Sequence, residues 1–276
     1  MEVNRESTLL IQAGQASRHY WRDLWRFREL FLLLAWRDIL VRYKQTVIGI
    51  SWAVLRPLLT MLVFTFVFGR LAKLPSEGVP YPLLVFAGLL PWQFFSTALS
   101  EAGSSLLSNS AMISKIYFPR VIVPSSAIIV GLVDLLIAGV LFFMLMAWYE
   151  IHFTWNLVFL PFFVGIAIAA ALGAGLLVSA LNVKYRDFRY IVPFVLQLGL
   201  YISPVGFSSQ VVPEQYRSLY ALNPMVGVIE GVRWSTLGTG SVPYVHVVTA
   251  CTVALVLLVS GFVVFRKTEK TFADII

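Results

Sequence analysis

From Val47 onward, long apolar runs alternate with short polar clusters, many of them basic. A bilayer core of about 30 Å takes roughly 20 apolar residues of helix to cross. Six stretches meet that length: Val47–Gly69, Pro82–Leu107, Val121–Tyr149, Trp155–Leu181, Tyr190–Phe207 and Tyr244–Phe265. A further apolar stretch, Leu219–Leu237, carries Pro224, Glu230 and Arg233 with Gly227 and Gly231. It makes a poor full span. It suits a re-entrant or interfacial helical hairpin over residues 213–240, buried in protein at shallow depth. The pattern therefore predicts an all-α integral membrane protein of six transmembrane helices, with a periplasmic re-entrant hairpin between helices 5 and 6.

The cations set the orientation. With six spans and the amino terminus inside, sixteen Lys and Arg lie on the cytosolic side, against Arg70, Lys73, Arg217 and Arg233 outside. A seventh span would put Arg266, Lys267 and Lys270 outside, against the positive-inside rule. Both termini are expected in the cytosol. The first 46 residues hold no short apolar core followed by a small-residue cleavage site, so no cleaved signal peptide is expected. Residues 18–45 interleave Arg18, Arg22, Arg26, Arg37 and Arg42 with Trp21, Leu24, Trp25 and Leu32. That reads as an amphipathic helix in the headgroup region, serving as a topology anchor or as a docking surface. The organisation expected is a cytosolic segment 1–46 containing this interface helix, a permease domain 47–265 and a cytosolic tail 266–276.

Composition agrees. The chain of 276 residues is 59% hydrophobic and 13% charged, where a soluble domain carries about 25% charged residues. A soluble globular enzyme, a disordered chain and a disulfide scaffold are excluded. Cys251 alone permits no intrachain disulfide. A net charge of +7 raises nucleic acid as a partner, but the charges cluster between spans, where topology accounts for them. There is no GxxxxGK[ST] phosphate loop, no HExxH and no CxxC, and His19, His152 and His246 are far apart. No catalytic residue, metal site or cofactor is expected in this chain. An embedded enzyme would need clustered acids or histidines at one membrane face, which the sequence lacks. An ion-coupled carrier would show broken-helix pairs at matching places in two halves, and none recurs.

Charges inside spans are costly and have partners or duties. Arg56 precedes Pro57, which kinks the first helix or starts it; Arg56 then sits at the cytosolic interface as a snorkelling anchor. Asp134 lies mid-span in the third stretch and should meet another helix through a hydrogen bond or ion pair. Glu101 falls near the cytosolic end of the second stretch.

Six fragments, in order, resemble the membrane subunit of polysaccharide-exporting ABC transporters, the type-2 exporter permeases. They are Arg42-Tyr43-Lys44-Gln45-Thr46-Val47-Ile48-Gly49 with Leu55-Arg56-Pro57-Leu58; Phe86-Ala87-Gly88-Leu89-Leu90-Pro91-Trp92; Ile113-Ser114-Lys115-Ile116-Tyr117-Phe118-Pro119-Arg120; Asn182-Val183-Lys184-Tyr185-Arg186-Asp187; Tyr201-Ile202-Ser203-Pro204-Val205; and Leu222-Asn223-Pro224-Met225. The match runs over about Leu30–Phe265 and is most similar to O-antigen exporters of the Wzm kind. Capsule and teichoic acid permeases look similar, and a small-molecule or lipid ABC permease is the rival within transport.

The resemblance implies a homodimer in the bacterial inner membrane with two ATP-binding subunits, ATP and magnesium being held by those partners. It implies a lipid-linked polysaccharide of the O-antigen type moved out of the cytosol. It places the coupling helix at Ser114, Lys115, Ile116, Tyr117, Phe118, Pro119 and Arg120, where Tyr117 and Phe118 would anchor in a partner pocket. Lys184, Arg186 and Asp187 form a second cytosolic contact. Sugar rings present CH faces that stack on aromatic rings, so Phe64, Phe66, Phe68 and Tyr201 are the channel candidates. Packing or lipid contact is the plainer reading for any single one of them.

Overall fold

A computed structural model describes residues 20–44, 49–185, 187–239 and 244–272. Among the described residues the chain is helical, without strands. In hydrocarbon no water pairs with exposed N–H and C=O groups, so a helix, which satisfies them internally, is the form these apolar runs must take.

Among the described residues, five helices are long and apolar enough to cross a membrane: Ser51–Leu71, Tyr81–Ser108, Ile122–Trp148, Trp155–Lys184 and Tyr244–Thr268. The first is α3 (Gly49–Phe64) continued by a π-helical stretch, Thr65–Leu71. The others are α4 (Tyr81–Ser108), α6 (Ile122–Trp148), α7 (Leu160–Lys184, entered through the 3₁₀ turn Trp155–Phe159) and α11 (Tyr244–Thr268). The shorter α-helices among the described residues are α1 (Tyr20–Arg26), α2 (Arg28–Tyr43), α5 (Ser110–Ile113), α8 (Phe188–Ile202), α9 (Glu214–Ala221) and α10 (Pro224–Leu237).

Helix α4 is the axis of the bundle. Residues 83–92 are buried without a break, as a helix apolar on every side requires. It packs against α3, α6, α7, α8 and α10. Around its first half Phe86, Phe142, Phe163, Met225 and Val228 form one apolar cluster. A second cluster joins Tyr20, Leu34, Phe118, Phe265 and Phe272 at the other end. Helices α7 and α11 meet backbone to backbone: a Cβ on Gly261 would collide with the Gly173 carbonyl, and one on Gly173 with the backbone of Leu257 and Leu258. Small residues permit such close approach where lipid supplies no hydrophobic drive between helices.

Two expectations are corrected. The fifth stretch does not run helically to Phe207. Helix α8 has 15 residues, or about 22 Å at 1.5 Å per residue. Pro204 forces Ser203 into an extended conformation and stops it. Nor does Pro57 start the first helix, because α3 begins at Gly49 and passes through it. The expected interface helix, for its part, is two helices broken at Phe27, and residues 18 and 19 of that segment lie outside the described residues.

Beyond α8 the chain turns inward and is held by side chains. The guanidinium of Arg233, buried on α10, donates to the carbonyls of Leu84 at 3.1 Å, Val205 at 2.9 Å and Phe207 at 2.9 Å. The Tyr81 hydroxyl donates to the Gly206 carbonyl at 2.6 Å, and the Asn223 amide to the Ser203 hydroxyl at 2.9 Å. Glu230 receives the Ser209 hydroxyl and pairs with His246 of α11. Asn223 caps α10 by accepting from the Met225 N–H at 3.0 Å, with Pro224 in the first turn and Gly238 ending it at φ 67°. Residues 213–239 thus hold two short helices, of which α10 is packed inside the bundle.

The α7–α11 contact sets a test. Gly261→Val should destabilise the protein by about 1–3 kcal/mol, the usual cost of overpacking, and lower its melting temperature in detergent. Gly139→Ala, at a mid-helix site with nothing within 4 Å, should not lower the melting temperature.

Candidate functional site

The residues singled out by sequence fall into three groups. The first is the turn after α5. Ser114, Lys115, Ile116 and Tyr117 are exposed, whereas Phe118 and Pro119 are buried. Phe118 packs in the cluster with Tyr20, Ile113, Phe265 and Phe272. In this chain its ring is buried and seats the turn on the core. Ile116 and Tyr117 are the apolar side chains that project.

Arg120 also faces inward. Its N–H donates to the Glu269 carboxylate at 2.7 Å, its guanidinium donates to the Glu269 carbonyl, and it lies 6.0 Å over the Phe272 ring. Burial raises the Glu269 carboxyl above the usual range, against the opposing pull of the Arg120 N–H and of the Arg266 and Arg120 charges. Arg266 sits 3.5 Å over the Tyr20 ring. Tyr20 and Phe262 meet edge to face, and Trp21 stacks on Phe262 at 5.4 Å. The last turn of α11, the residues after it and α1 thus clamp the exposed turn from behind. The sequence reading missed this clamp, because its partners are about 150 to 250 residues apart and carry no local motif.

Lys184, at the end of α7, is exposed and lies 5.2 Å over the Tyr185 ring. Asp187 precedes α8, and its carbonyl accepts from Tyr190 and Ile191 at 3.0 and 3.1 Å. Arg186 lies outside the described residues.

The second group is aromatic. Phe64 and Phe68 are in contact at 5.3 Å, and Phe64 stacks on Tyr201 at 6.5 Å with 12° between planes. The rings close over Gly206, where a Cβ would meet both Phe64 and Phe68. Phe66 stands apart and is exposed, because positions 64 and 68 share a helix face and 66 falls on the opposite one. Of the four channel candidates the structure joins Phe64, Phe68 and Tyr201 and separates Phe66.

The third group is charged. Asp134 of α6 pairs with Arg42 of α2 at 2.7 Å and accepts from the Tyr43 hydroxyl. Arg42 also lies 3.5 Å from Glu101 of α4. Arg37 donates to Asn109, at the end of α4, at 2.8 Å. Four polar contacts therefore pin α2 to α4 and α6. Arg56 projects from α3 into a cavity of about 510 Å³ that it shares with Arg42, Trp52, Gln93, Thr97 and Asp134.

Residues 29–237 match the family described as ABC-2 type transporter. The chain is 29% identical to the O-antigen export system permease protein RfbA of Myxococcus xanthus over 263 residues, 92% of this chain and 97% of that protein. It is 26% identical to the protein of the same name from Klebsiella pneumoniae, over 90% of this chain and 95% of that one. It is 24% identical to the polysialic acid transport protein KpsM of Escherichia coli, over 85% and 91%.

Two substitutions separate the roles within the exposed turn. Phe118→Ala empties a buried site and should cost about 3–5 kcal/mol of stability, whereas Tyr117→Ala, at an exposed position, should cost under about 0.5 kcal/mol. Thermal unfolding of the two variants in one detergent checks this.

Proposed function

The chain belongs to the ABC-2 type transporter family, and from that membership we propose that it is the membrane-spanning subunit of an ATP-driven exporter that moves lipid-linked polysaccharide of the O-antigen type from the cytosol across the inner membrane. The observation that carries this reading is its alignment, over nine-tenths of its length, with permeases named for O-antigen export. The lower identity to the polysialic acid transport protein keeps the substrate class polysaccharide and ranks the capsule reading second. ATP hydrolysis is assigned to a separate subunit, which binds ATP and magnesium.

Topology follows the cation distribution. Six spans with both termini in the cytosol take α8, continued by the turn after it, as the fifth, and α9 and α10 as a periplasmic re-entrant pair. Helices α1 and α2 lie at the cytosolic interface, where exposed Trp21, Trp25 and Trp36 suit the headgroup region. Two protomers and two ATP-binding subunits form the assembly. Support for a second copy comes from α3 and α8, which expose Trp52, Leu55, Leu59, Leu62 and Phe66, and Tyr190, Phe194 and Tyr201. Two such faces can enclose a passage in which the aromatic group at Phe64, Phe68 and Tyr201 offers stacking surfaces to sugar rings.

Ser114, Lys115, Ile116 and Tyr117 are the docking residues in this reading, with Lys184 and Asp187 beside them. Rim charge steers association and a projecting aromatic anchors it. Co-purification with the cognate ATP-binding protein, followed by ATPase assays in lipid with and without lipid-linked glycan, tests the proposal. A stable complex with glycan-sensitive turnover is expected. Tyr117→Ala should weaken the complex by about 2 kcal/mol, and Lys115→Glu should uncouple hydrolysis from export. A complex whose turnover ignores glycan would sink the substrate assignment. Normal association and export in both variants would remove the turn from its role.

A further inference from the structure

The cavity between α3, α4 and α6 holds a span cation, Arg56, that has no ion pair among the described residues. Arg42 is matched by Asp134 at 2.7 Å and by Glu101 at 3.5 Å. Arg56 forms no ion pair among the described residues. It stands seven residues into α3 and opens into the cavity. A lone arginine at membrane depth is expensive, and one that cannot pair with protein takes its counter-charge from solvent or ligand.

The walls favour a particular ligand. Gln93, Ser96 and Thr97 stand on one face of α4, at helical spacing, and line the cavity together with the Trp52 side chain of α3. Gln93, Thr97 and the Trp52 indole supply donors for an oxyanion; the Ser96 hydroxyl is turned to the Gln93 carbonyl at 3.1 Å. The remaining wall is apolar, from Leu90, Phe94, Leu135 and Ala138. A guanidinium with neutral donors on one side and hydrocarbon on the other matches an amphiphile rather than a free ion. Arginine's fork is suited to tetrahedral phosphate oxygens.

We propose that this cavity binds the phosphate or diphosphate headgroup of a membrane lipid, with Arg56 as its principal counter-charge and Asp134 as a competitor that holds Arg42 back. Assigning the lipid as the carrier of the exported polymer rests on the export reading above; binding of a lipid phosphate does not.

The test is a titration of the detergent-purified full-length chain by thermophoresis with four probes: farnesyl diphosphate, farnesol, inorganic diphosphate and dihexanoyl phosphatidylglycerol. No ATP-binding subunit or glycan is required, so failure here leaves the export reading standing, and failure of that reading leaves this measurement intact. Farnesyl diphosphate should bind saturably, and Arg56→Gln should weaken it at least about tenfold. Asp134→Asn keeps an acceptor for Tyr43 and frees Arg42, so it should tighten binding, which a merely structural role for Asp134 would not do. Arg217→Gln, on the exposed helix α9, should change nothing. Should Arg56→Gln not purify as a single species, Gln93→Leu takes its place and should weaken binding in the same sense. Phosphatidylglycerol binding with the same dependence on Arg56 would support the site and assign it to bulk phospholipid; its failure to bind beside farnesyl diphosphate would support the site and assign it to a diphosphate carrier. Undiminished affinity in the Arg56 variant, or farnesol or inorganic diphosphate binding as tightly as the intact amphiphile, would overturn the proposal.

Discussion

The architecture depends on how one buried guanidinium resolves the problem of a non-helical chain inside an apolar bundle. Between Ser203 and Phe207 the backbone leaves the helix while still enclosed, and each free carbonyl there would cost on the order of 1–3 kcal/mol if left unpaired. Arg233 serves Val205 and Phe207 and also reaches Leu84 on α4. Tyr81 serves Gly206 between them. One side chain of α10 thus ties together the central helix, the turn after α8 and the helix pair that follows. The aromatic group at Phe64, Phe68 and Tyr201 rests directly on this turn through Gly206.

The end of the bundle at Phe118 and Phe265 is organised by the opposite principle, a rigid base beneath an exposed feature. Phe118, Phe265 and Phe272 fill the space under the turn, and Arg120 is engaged by Glu269. The first described helix and the last described residues therefore converge on the same few atoms. Displacement of Tyr117 by a bound protein would be felt at α1 and α11 without passing through the centre of the bundle, because those contacts are direct.

Much of this was legible in sequence, and what was not has a physical cause. Helices α4, α6, α7 and α11 follow from hydropathy alone, since each is a long apolar run with flanking charges. The end of α8 was overrun because Ser203–Phe207 is apolar enough to pass for helix; Pro204 was the available signal against it. A partner for Asp134 was expected from the cost of a mid-span carboxylate, but Arg42 could not be chosen, being 92 residues away with no intervening pattern. Phe118 and Tyr117 look alike in sequence. Only the far-off Phe265 and Phe272 decide that one is buried and the other projects.

The seam between Gly173 and Gly261 has a mechanical meaning. Two backbones in contact have no side chains to re-pack between them, so α7 and α11 cannot slide or roll without separating altogether. With α4 sealed among its neighbours, these three helices form a stator. Helix α8 buries no residue and α3 very few, and α3 carries a proline and a π-helical stretch that both break its regular ladder. Packing is thereby sparsest in the two helices that border the aromatic group.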